Sequence, residues 1–74
     1  MPNTDISKEE KLNLIASRIR GVKINKYSAE LNIIEQNATE APEASIIASS
    51  NKTIATAEAQ ITALQAQYDA VEAE

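Results

Sequence analysis

In the second half of the chain two sets of residues recur at every seventh position: Ile47, Ile54, Ile61 and Tyr68, interleaved with Ser50, Ala57, Leu64 and Val71. Steps of three and four in alternation keep both sets on one side of an α-helix and make the apolar seam of a coiled coil. A helix cannot bury its own seam, so this pattern demands a second helix, from the same chain or from another. Alanine fills many positions between, at Ala48, Ala55, Ala59, Ala63, Ala66, Ala70 and Ala73. It raises helix propensity and lets neighbouring helices come close. Residues 43–74 are therefore expected to form one helix.

The first half of the chain offers the partner. Ser7-Lys8-Glu9-Glu10 is a capping box, in which the Ser7 hydroxyl accepts the amide of Glu10 and the Glu10 carboxylate accepts the amide of Ser7. Behind it Leu12, Ile15, Ile19 and Val22 follow the helical period, and Ile24, Tyr27, Leu31, Ile34 and Ala38 follow it again. The step from Val22 to Ile24 is only two residues, which turns the helix by ~200° and puts the second stripe on nearly the opposite face. Gly21 lies beside this change and either permits a kink or is tolerated at about 1 kcal/mol relative to alanine. The expectation is a helix over 7–37 after an N-terminal tail at 1–6, with a seam that changes register along it.

Between the two stretches Asn37 suits a left-handed helix end, Thr39 a cap, and Pro42 the first turn of a new helix. Two readings are open: a hairpin turning over 38–42, or one long helix kinked at Pro42 at ~3 kcal/mol. Residue numbering favours the hairpin. Antiparallel pairs should have a nearly constant total, and Leu12 with Val71, Ile15 with Tyr68, Ile19 with Leu64 and Val22 with Ile61 all total 83. Leu31 with Ile54 and Ala38 with Ile47 total 85, and Ile34 with Ser50 totals 84. Charge agrees: residues 8–26 carry a net +4 and residues 27–74 a net −7, so folding back lays a basic segment beside Glu58, Asp69, Glu72 and Glu74. Exposed pairs of this kind are worth about 0.2–1 kcal/mol each and select orientation more than they stabilise.

Composition narrows the function. The 74 residues include no Cys and no His, which removes disulfides, zinc and haem sites, Ser–His–Asp triads and a histidine base. A single glycine leaves no phosphate-cradling loop. Ten Ile, four Leu and two Val make a marginal core for a lone chain, so oligomerisation is the expected reinforcement. An acidic chain with two aromatics argues against a nucleic-acid partner, despite the basic run Arg18-Ile19-Arg20-Gly21-Val22-Lys23. The absence of Trp and Phe argues against a membrane-surface helix. No apolar run is long enough to span a bilayer, and residues 1–5 do not read as a signal peptide. The expected setting is cytoplasmic or virion-associated, with no enzyme activity, cofactor, metal or small-molecule substrate.

The fold class expected is all-α: a two-helix antiparallel hairpin that oligomerises. Its helix–helix seam would be Leu12, Ile15, Ile19, Val22, Tyr27, Leu31, Ile34, Ile47, Ile54, Ala57, Ile61, Leu64, Tyr68 and Val71. Leu14, Ile33 and Ile46 point elsewhere on this reading and form the candidate association surface. Lys11-Leu12-Asn13-Leu14-Ile15, Asn25-Lys26-Tyr27-Ser28-Ala29-Glu30-Leu31 and Ile34-Glu35-Gln36-Asn37-Ala38 together resemble small helical proteins of tailed bacteriophages. That resemblance implies a minor virion or assembly component and no site residues. The expected function is a structural or assembly protein that self-associates or docks in multiple copies on a larger particle. The alternative is a soluble adaptor or regulator that binds one target protein through a helical face.

Overall fold

The computed structural model describes residues 6–74; of the expected tail at 1–6, residues 1–5 lie outside the described residues. Two helices make up the fold, α1 over Lys8–Asn37 and α2 over Ala44–Glu72, and they pack against each other as a hairpin. There is no strand among the described residues.

The start of α1 has the reciprocal geometry of the capping box. Ser7 is extended (φ −67°, ψ 162°), its Oγ accepts the Glu10 amide at 3.1 Å, and its own amide donates to Glu10 Oε1 at 3.2 Å. Two of the amides that a helix start leaves without partners are thereby satisfied. The helix then runs through Gly21 without interruption. A methyl group on Gly21 would meet nothing within 4 Å, so neither a kink nor a close approach requires glycine there.

The turn differs in detail from the expectation. Asn37 stays helical, Ala38 ends α1 in the right-handed region (φ −89°, ψ −3°), and no described residue has a positive φ. The Ala38 amide donates to the Ile34 and Glu35 carbonyls and the Thr39 amide to the Gln36 carbonyl, and side chains complete the turn. Thr39 Oγ1 donates to the Gln36 carbonyl at 2.8 Å, and Gln36 Oε1 accepts the Glu43 amide at 2.9 Å. Gln36 thus ties the end of α1 to the beginning of α2. Pro42 lies just before the N-cap, Glu43 (φ −85°, ψ 111°), and outside α2. A proline there keeps the preceding residue out of helical conformation and ends any continuation of α1, so the long kinked helix does not form.

Candidate interaction surface

The positions of α1 turned toward α2 are Leu12, Ile15, Ile19, Val22, Lys26, Ala29, Ile33 and Gln36, all buried or half-buried. They follow the 3-4 alternation without a break over the whole helix. The α2 side consists of Ile47, Ser50, Ile54, Ala57, Ile61, Leu64, Tyr68 and Val71, again all buried or half-buried. Antiparallel pairing at a constant total of 83 therefore holds from Leu12 with Val71 to Gln36 with Ile47. Two ion pairs flank this seam, Lys11 Nζ to Glu74 Oε1 at 3.7 Å and Lys26 Nζ to Glu58 Oε2 at 3.4 Å. Lys8 Nζ adds a hydrogen bond to the Glu74 carbonyl oxygen at 3.3 Å. Of the acids expected beside the basic segment, Asp69 instead accepts from Gln65 Nε2 on its own helix, at 3.2 Å.

Three of the expected seam residues are placed elsewhere. Tyr27, Leu31 and Ile34 are 60%, 39% and 61% exposed, and with Ile24 at 59% they form an outward stripe on the back of α1. The physical reason is the continuity of the helix. Only a break near residue 22 could swing the later stripe round to α2, and α1 has none. The seam instead keeps its phase and passes through weaker residues. Ala29 and Ala57 are 4% and 1% exposed; the register sets Ala29 opposite Ile54 and Ala57 opposite Lys26, small against large. Lys26 lays its aliphatic stem along the seam and carries its ammonium to Glu58 at the rim, as amphipathic side chains do.

The residues expected to form an association surface are also redistributed. Ile33 and Ile46 are half-buried, Ile33 as a seam position opposite Ser50 and Ile46 at its edge. Leu14 is outward, 51% exposed. The outward stripe at Ile24, Tyr27, Leu31 and Ile34 is legible in the sequence as a helical period on nearly the opposite face from Leu12 and Val22; its membership of the seam, expected for Tyr27, Leu31 and Ile34, is what the structure corrects.

The back of α2 is different in kind. Ala48, Lys52, Ala55, Ala59, Thr62, Ala66 and Asp69 occupy it, all exposed, and no large apolar residue does. Between the helices the depressions are open. A groove of about 540 Å³ runs beside Gly21, lined by Arg18, Val22 and Asn25 on α1 and Gln60, Ala63 and Leu64 on α2. Arg18 is its one charged group, and it holds no acid–base pair. Among the described residues there is no cluster of three or more Asp or Glu placed to hold a metal ion, and no helix is long and apolar enough to cross a membrane. No buried side-chain nitrogen or oxygen among them lacks a hydrogen-bond partner.

No family model, curated protein or solved structure matches this chain. What the fold and its surface define is an antiparallel helical hairpin with one apolar face buried inside it and a second turned outward.

Proposed function

We propose that the protein is a non-enzymatic structural or assembly component, a helical hairpin that associates with further copies of itself and so takes its place in a larger particle. The observation that carries this reading is the outward stripe of Ile24, Tyr27, Leu31 and Ile34. Four consecutive helical positions of this size on one face are unusual for a solvent-facing surface, and contiguous apolar patches mark interaction sites. The likeness to small helical proteins of tailed phages points to a virion or its assembly as the setting.

Light scattering coupled to size exclusion, with circular dichroism on the same peak, tests the proposal. A helical oligomer is the expected result. A helical monomer that persists on concentration would contradict it and favour an adaptor that binds a different protein.

A further inference from the structure

We propose that α1 pairs with α1 of a second copy, antiparallel and back to back, about a two-fold axis that passes between them at the level of residue 29. The inference rests on the self-association proposed above and names its surface, its partner and its direction.

The outward stripe is symmetric about that point. Ile24 and Ile34 lie equally far before and after residue 29, and Tyr27 and Leu31 do the same. An antiparallel second copy therefore sets Ile24 against Ile34 and Tyr27 against Leu31, twice over, and every exposed apolar residue of the stripe meets another. Their spacing of 3, 4 and 3 is that of a coiled-coil seam, and self-complementarity is what a two-fold interface requires.

Charge along α1 divides at the same centre. Arg20 and Lys23 precede it, while residues 30–37 hold Glu30 and Glu35 and no base. Arg20, Lys23 and Glu35 are exposed, and none makes an ion pair among the described residues. Antiparallel pairing lays the basic half of one α1 along the acidic half of the other, whereas parallel pairing would lay like on like. Such fields act over about a Debye length of 8–10 Å and set direction and register more than strength. The alanine-rich back of α2 offers no comparable match, since it lacks large side chains to interdigitate.

One acid opposes the arrangement. Glu30 lies on the flank of the stripe next to the axis, so two copies bring their Glu30 carboxylates to the same side. Glu30→Gln should accordingly tighten the dimer.

Sedimentation equilibrium of the full chain and of Leu31→Lys, with circular dichroism on both, reads the surface. Leu31 is outward, so the variant should keep its helicity while dimerisation weakens about tenfold or more. Cysteine cross-linking reads the direction, without interference because the described residues contain no free cysteine. Ser28→Cys, next to the axis, should oxidise to a disulfide-linked dimer. Ile34→Cys should not, because antiparallel pairing separates its two copies by ten residue steps, ~15 Å along the helix. A wild-type chain that stays monomeric overturns both this inference and the proposed function. An oligomer that survives Leu31→Lys, or that cross-links through Ile34→Cys, overturns the surface or its direction and leaves self-association standing.

Discussion

The two helices bury equivalent seams but differ behind them. α2 turns all its large apolar residues inward or to the seam edge and shows alanine, lysine, threonine and aspartate to the outside. α1 buries Leu12, Ile15, Ile19, Val22 and Ile33 and leaves a second row of four large residues on its back. In α2 hydrophobicity and burial coincide, and reading one gives the other. In the second half of α1 they separate: the seam there is Lys26, Ala29, Ile33 and Gln36, while the strongest hydrophobic period lies on the outer face. Over this stretch α1 divides its large residues between its two faces, and its inner seam is left with small and amphipathic ones.

The most severe way to break this contrast is a charge in the inner seam. Ile61→Asp should cost at least ~3 kcal/mol by burying an unpaired carboxylate. Against a hairpin with so small a core, that should remove most of the helical signal in circular dichroism.

Lys26→Leu sharpens the comparison in the opposite direction. Lys26 holds a seam position, and its pair with Glu58, 60% exposed on the acid side, is worth little in water. Filling the position with an apolar side chain should stabilise the hairpin by about 1 kcal/mol. That is a rise of ~4–8 °C in Tm for a domain of this size, read by thermal denaturation at low protein concentration. No change would mean that residue 26 faces solvent and that the seam does shift.

Gly21→Ala bears on the point at which a shift would have occurred. Its Cβ has open space and α1 is regular there, so alanine should add about 0.5–1 kcal/mol. A loss of stability would indicate a kink that the glycine serves. The smallest effect belongs to the outer stripe. Ile34→Ser should change the stability of the isolated hairpin by less than ~0.5 kcal/mol, measured by urea denaturation at a concentration where the chain is monomeric.

Much of the hairpin could be read from residue types alone. The capping box at Ser7 and Glu10, the heptads of α2 and the pairing of Leu12 through Val22 with Val71 through Ile61 all rest on local rules that tertiary structure had no reason to override. What could not be read by following large aliphatics was the continuation past Val22, since Ile24, Tyr27, Leu31 and Ile34 carry the stronger period. A signal was nonetheless present. The constant total of 83 extends to Lys26 with Ala57, Ala29 with Ile54 and Ile33 with Ser50, and an unbroken helix has no means of absorbing a step of two residues. The turn differs for another reason: Asn37 is permitted in a left-handed conformation but does not require it, and the Ala38 and Thr39 amides with the Thr39 hydroxyl satisfy the last carbonyls of α1 another way.

The central claim is that the seam keeps one register along all of α1 and leaves Leu31 outside. Two double-cysteine variants test it most directly, Ala29→Cys with Ile54→Cys and Leu31→Cys with Ile54→Cys, each oxidised at a concentration too low for association. Intramolecular closure is read as monomer mass and faster non-reducing mobility. The account predicts that the first pair closes within the chain and the second does not. Closure of the second pair in preference to the first would place Leu31 in the seam and contradict it.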